Sequence, residues 1–241
     1  MTTNILLCTL GVSLAVISDA YAFLAPERLQ LYQSHPEQEK LLALKAKYRL
    51  VGLDLVGDEQ TTQPEVMASL FQPDFAECQP IIILAGEDEK VDSIWPAAYH
   101  VHAVRIGQGL SLNENDNLAQ RFRDRSICLE LCPSSNREVV GFYDPRFPHT
   151  QQYPGYPLLA LWQKGLPLTV CTDNPDISCT TLADEYLTAA LMTRNQLSQW
   201  DVLAMIKQGF VHRFLSGHHK EKLFKRIDAD LYQLLAEAPC T

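Results

Sequence analysis

The sequence predicts an α/β fold, a partial (βα)8 TIM-type barrel, preceded by a Rossmann-like βα unit. Two observations lead there. Short apolar runs recur and each breaks into polar residues at its C-terminal end: Gly52-Leu53-Asp54-Leu55-Val56-Gly57, Leu84-Ala85-Gly86-Glu87, Arg105-Ile106-Gly107-Gln108-Gly109, Leu129-Glu130-Leu131-Cys132 and Cys171-Thr172-Asp173-Asn174. That is the form of buried parallel strands that carry functional groups at one mouth of a barrel. Between the runs lie segments of helical periodicity, as crossover connections require.

In chain order, Asn4 to Leu10 reads as a buried strand, followed by the turn Gly11-Val12-Ser13 and a helix from Leu14 to about Leu24. A strand, a small-residue turn and a helix N-terminus together form an anion site, because free backbone N–H groups and the helix dipole point the same way. The Leu-rich, charged segment Glu37 to Lys47 leads into a strand over Arg49 to Val56, and Pro64 to Phe71 is expected to be helical. Ile81 to Leu84 forms the next strand. Leu112 to Arg123 and Leu158 to Lys164 are crossover helices, while Pro133-Ser134-Ser135-Asn136 is a turn that caps the fourth strand after Arg49. Gly141 to Pro157, rich in aromatics, Pro and Gly, is an ordered loop over the barrel mouth or at a subunit contact. Three helices close the chain, over Cys179 to Thr193, Ser198 to Leu215 with Ser198 as its cap, and Glu221 to Ala236.

Composition narrows the function. At 241 residues, with 46% hydrophobic and 20% charged residues, the chain is ordinary globular protein. Its formal net charge of -9, with no long basic run, disfavours DNA, long RNA and anionic membranes as partners. The seven cysteines are odd in number, scattered and mostly inside apolar runs, so free buried thiols and a cytoplasmic location are expected. Asn4 to Ile17 with Ala20-Tyr21-Ala22 imitates a secretory signal, but Met1 to Asn4 lacks the basic residues such a signal carries.

The strand-end blocks, in their order, resemble the second half of the adenosine deaminase family from roughly Val51 to the C-terminus. That resemblance implies hydrolytic deamination of an adenine nucleoside or nucleotide at a zinc ion held by three histidines and an aspartate, the metal bringing bound water to a pKa near 7. It assigns Glu87 as the acid beside the purine ring and Gly57 as the close backbone approach to the base. Asp173 would be the zinc-binding aspartate, and Asn174 stands where the common pattern has an aspartate contacting the base. The family's His-Ala-Gly-Glu is here Leu84-Ala85-Gly86-Glu87, and its Arg-Ile-Gly-His-Gly carries Gln108 in place of the histidine. Glutamine orients water through hydrogen bonds and takes up no proton near neutral pH. Of the four protein ligands only Asp173 remains, too few for catalytic zinc.

His100-Val101-His102 has the spacing of a paired ligand but lies in a helix end or loop. His149 reads as a surface or packing residue, and His212, His218 and His219 as a solvated basic helix end. The opening strand and turn resemble the CARF domain of CRISPR-associated antiviral effectors. By that resemblance Gly11, Val12 and Ser13 would contact a cyclic oligoadenylate activator, residues 1–35 would be the start of the sensor, and 36–241 the deaminase-like part.

Six strands fall short of the eight that close a barrel. The chain is therefore expected either to be part of a longer polypeptide or to associate, as a homo-oligomer. Two functions follow: a cyclic-oligoadenylate-controlled deaminase, or a catalytically silent purine-binding or assembly module.

Overall fold

Six parallel strands lie side by side in the order of the sequence: β1 (Asn4–Thr9), β2 (Arg49–Leu55), β3 (Ile81–Ala85), β4 (Arg105–Gln108), β5 (Cys128–Leu131) and β6 (Leu168–Val170). The computed structural model describes residues 4–9, 49–55, 78–87, 91–215 and 217–237. The expected helices over Leu14 to Leu24 and Pro64 to Phe71, the segment Glu37 to Lys47, and Gly57, Gly11, Val12 and Ser13 lie outside them. β1 pairs with β2 from Asn4 opposite Arg49 to Thr9 opposite Leu55. The first strand thus belongs to the barrel-type sheet, and a separate Rossmann-like unit finds no support among the described residues.

Parallel neighbours require crossovers, and the described ones are helical. α1 (Ile94–Tyr99) joins β3 to β4, α2 (Asp116–Asp124) joins β4 to β5, and α3 (Pro133–Val139) and α4 (Leu158–Gln163) join β5 to β6. After β6 come α5 (Pro175–Ser178), α6 (Leu182–Met192), α7 (Gln199–Val211) and α8 (Gly217–Glu237). Polar side chains fix their starts. The Asn115 side chain accepts from Leu118 N ahead of α2, and Thr181 with Asp184 and Ser198 with Asp201 form reciprocal capping boxes on α6 and α7. The expected Ser198 cap is therefore in place.

Side-chain alternation divides the sheet into two faces. Leu53, Ile81, Ile83, Ala85, Ile106, Leu129, Leu131, Leu168 and Val170 share one buried cluster with Ile94, Ala97, Leu118, Phe122, Leu158 and Leu161 from the helices. The other face carries Asp54, Arg105, Cys128, Glu130 and Thr169, with Asp54 in register with Ile82, Ile82 with Arg105, and Glu130 with Thr169. Polar groups on this inner face are what an interior functional cleft needs, and the apolar outer face holds the layers together.

α7 closes over β6. Met205 is fully buried, and a Cβ on Gly209 would lie 3.1 Å from Thr169 Oγ1, so a side chain there would push the helix off the strand. Trp162 Nε1 donates to Asp201 Oδ1 at 2.8 Å, tying α4 to α7. Just beyond α7 the Phe214 ring lies 4.9 Å from the Arg105 guanidinium. His212 beside it is half-buried, which corrects the expected solvated histidine cluster. His218 and His219 on α8 are exposed.

Candidate functional site

The C-terminal strand ends are built from left-handed backbone. Gly86, Gln108, Gly109 and Asp173 have φ of 72°, 68°, 65° and 56° at the ends of β3, β4 and β6. A Cβ on Gly86 would meet Ile94 Cδ1 at 2.4 Å, and one on Gly109 would meet Leu129 Cδ2 at 2.7 Å, so glycine is required at both. Gln108 and Asp173 enjoy no such freedom. Left-handed backbone at a residue with a Cβ costs about 1–2 kcal/mol, and such strain concentrates where a side chain must be aimed. The neighbouring ends are also stitched together: Gly109 N donates to Ala85 O at 2.9 Å, Ser111 N to Gly86 O at 3.0 Å, and Gly86 N to Ser93 Oγ at 3.0 Å.

The first turn of α3 gathers these ends. Asn136 is fully buried, and its Nδ2 donates to Glu87 Oε1 at 2.9 Å and to Gln108 Oε1 at 2.8 Å. Its Oδ1 accepts from Tyr156 OH at 2.8 Å and from Cys132 N at 3.2 Å. One residue earlier, Ser135 Oγ donates to Asp173 Oδ2 at 2.6 Å. Two adjacent side chains therefore connect the ends of β3, β4 and β6. Ser134 N donates to Glu185 Oε2 at 2.9 Å, and Thr180 Oγ1 donates to Glu185 Oε1 at 2.7 Å. Glu185 is fully buried, so this carboxylate anchors the start of α3 to α6.

The segment Gly141 to Pro157 is ordered, as expected, and covers α3. Buried Asp144 accepts from Arg137 Nη1 at 3.0 Å and from Arg146 Nη2 at 2.7 Å, and Arg146 Nη2 also donates to Thr188 Oγ1 on α6 at 3.0 Å. Burial alone would raise the Asp144 pKa, but the hydrogen bonds from Arg146 and Arg137 outweigh it and hold the carboxyl below its ordinary value. The clamp places Tyr156, 5% exposed, on Asn136. Burial pushes the Tyr156 phenol well above its ordinary pKa, so it stays protonated and serves as a donor.

The structure brings Glu87 and Gln108 together and sets Asp173 beside the same helix, with Asn174 following it at the start of α5. Asn136, Ser135 and Tyr156 are functional residues that sequence reasoning missed. Pro133-Ser134-Ser135-Asn136 opens a helix instead of forming a turn, as Pro at the first helical position permits. His100 is the exposed C-cap of α1 and His102 follows in a loop, so the His-x-His pair contributes nothing to the site.

Zinc does not fit this donor set. Leu84 has no donor atom, Gln108 Oε1 is engaged by Asn136, and Asp173 is engaged by Ser135. Among the described residues no three His, Cys, Asp or Glu side chains converge as a metal site. Cys78, Cys128, Cys132, Cys171 and Cys179 are free thiols. Burial raises the pKa of Cys128, Cys132 and Cys171, which keeps their thiols protonated. No helix among the described residues is long and apolar enough to cross a membrane.

Comparison with known proteins gives this geometry a context. The family described as adenosine deaminase matches residues 15–230, a span that crosses the boundary expected between residues 35 and 36. An adenosine deaminase from Clostridium acetobutylicum is 27% identical over 176 residues, which are 73% of this chain and 50% of that protein. The crystal structure of adenine deaminase from Arthrobacter aurescens aligns with a TM-score of 0.68 at 21% identity, over 81% of this chain and 57% of the other. Arabidopsis ADAL, solved with IMP, aligns with a TM-score of 0.63 at 20% identity, over 80% of this chain and 52% of the other. The structural likenesses establish the α/β fold with its parallel sheet, consistent with a TIM-type barrel. The chain spans about half the length of the curated relatives it matches.

Proposed function

The chain belongs to the adenosine deaminase family, and we propose that it is a purine-binding member that works without the family's zinc chemistry. One observation carries this reading: the acid Glu87 is kept, while the side chains at two imidazole positions are Leu84 and Gln108, and Gln108 is tied into a closed hydrogen-bond web with Glu87 and Asn136. Glu87 and Asn174 would contact the base edge, with Gly57 as the close backbone approach. The purine nucleosides and nucleotides named for the relatives, IMP among them, are the ligands this reading extends to the present chain. Because no general base replaces the lost histidine, binding without turnover is the expected result.

The experiment is metal analysis of the purified chain beside a deamination assay on adenosine, AMP and ATP. Substoichiometric zinc and no inosine-type product are expected. Stoichiometric zinc with product formation would establish instead the second reading, hydrolytic deamination, which the retained Glu87 favours. Control by a cyclic oligoadenylate through Gly11, Val12 and Ser13 is a separate part of the proposal, supported by the strand, small-residue turn and helix pattern of the sequence. A ligand at a hundred times its dissociation constant adds about 2.7 kcal/mol of stability. No thermal shift at saturating activator removes that control.

A further inference from the structure

The hydrogen-bond web at the strand ends has a direction, and the direction selects a ligand. Cys132 N is a backbone donor and nothing else, and it points at one atom of the Asn136 amide at 3.2 Å. That atom must be the oxygen. Tyr156 OH, kept protonated by burial, donates to the same oxygen. The Asn136 amide is therefore fixed with its nitrogen toward Glu87 and Gln108, and both must present acceptors to it. For Gln108 that acceptor is Oε1, so what its side chain offers to anything else is Nε2 with its N–H donors.

We propose that the site is complementary to the lactam edge of a 6-oxopurine nucleoside or nucleotide, and that Gln108 Nε2 donates to the ligand's O6 while Glu87 accepts from its N1–H. The inference rests on the purine-binding reading above and names the ligand class for that same site. A carboxylate has about four lone-pair positions, so the bond from Asn136 does not exhaust what Glu87 can accept. A 6-aminopurine presents the reverse pattern, an acceptor at N1 and a donor at the 6-position. It would set the amino group against the Gln108 donor and N1 against the Glu87 acceptor. To welcome it, Gln108 would have to turn over and confront the Asn136 donor with its own. The left-handed backbone at Gln108, φ 68°, and its 2% exposure hold the side chain where this choice is made. Sites built to hydrogen-bond a particular edge reject ligands that leave those groups unpaired far more strongly than apolar pockets do.

Calorimetric titration of the full chain with inosine and adenosine tests this, with 1-methylinosine as the ligand that lacks N1–H. Inosine should bind at least about tenfold more tightly than adenosine, the factor that one lost hydrogen bond of about 1.4 kcal/mol gives. 1-Methylinosine should lose a similar factor. Gln108→Met removes the donor at similar length and should weaken inosine by about tenfold while leaving the share of the preference that Glu87 and N1–H supply, with melting temperature showing that the variant folds. Adenosine binding as tightly as inosine, or 1-methylinosine binding as well as inosine, would overturn the assignment while leaving a purine site intact. A folded chain that binds none of the three removes the purine-binding reading itself. The ligand series needs only the wild-type protein, so it decides the matter even if Gln108→Met fails to fold.

Discussion

The inner face of the sheet holds polar groups in two places, and they are held in different ways. At the mouth, Asn136 distributes directional hydrogen bonds among Glu87, Gln108, Tyr156 and Cys132. Lower on the same face, Arg105 Nη2 and Glu130 Oε1 form an ion pair beneath Phe214. Burial works against the Arg105 charge, but the Glu130 carboxylate, with Asp54 behind it, more than compensates and holds the guanidinium charged. Arg105 Nε has no hydrogen-bond partner among the described residues, whereas both polar atoms of the Asn136 amide are engaged twice. The lower pair needs only opposite charge, while the mouth fixes which atom donates and which accepts. Recognition belongs where direction is fixed.

The comparison is broken most severely at the lower pair. Glu130→Leu leaves the Arg105 charge buried without its carboxylate and should cost about 3 kcal/mol in chemical denaturation. Replacing Arg105 by Met in the same chain should restore much of that loss, because an apolar pair carries no desolvation cost. Failure of the second change to restore stability would mean that the pair is directional after all.

Asn136→Ala tests the mouth. It strands Cys132 N and Tyr156 OH and releases Glu87 and Gln108, so about 2 kcal/mol of stability should go, together with purine binding. Unchanged inosine affinity in a folded Asn136→Ala variant would show that the web does not orient the ligand-binding groups. Tyr156→Phe sharpens the same point more gently. Cys132 N still fixes the Asn136 amide, so a loss of about 1 kcal/mol with an unaltered ratio of inosine to adenosine affinity is expected.

The smallest effect is at His212. Burial, followed by the Arg105 and Lys220 charges, pulls its pKa down to about 4, and its Nε2 lies 3.2 Å from Gln208 Oε1. Between the ordinary histidine value of about 6.5 and that lowered value, the unfolded chain binds a proton that the folded chain does not. Stability contributed by the neutral ring is thus fully present above about pH 6.5 and declines as the pH falls toward 4. Denaturation curves for His212→Gln should be flatter across that window than those of the wild type. Parallel curves would place the ring in solvent.

Much of the scaffold was legible because strand signals are local. The apolar runs over Ile81 to Leu84 and Leu129 to Leu131, and the capping pair of Ser198 and Asp201, depend on neighbours in sequence. The match of Leu84 to Glu87 and of Arg105 to Gly109 to the family's blocks located the strand ends for the same reason. Asn136 was hidden because its partners Tyr156, Gln108 and Glu87 lie 20, 28 and 49 residues away. Pro133 to Asn136 suits a turn as readily as the first turn of a helix, since Pro and two serines favour both. His212 was read as solvated from its basic neighbours, and only the packing of α7 on β6 buries it.

The central claim is that purine recognition here needs no metal. Inosine titrated into the chain before and after exhaustive dialysis against a chelator tests it directly. The account predicts the same saturable binding with the same affinity in both samples. Binding that vanishes with the chelator and returns with added zinc would contradict it.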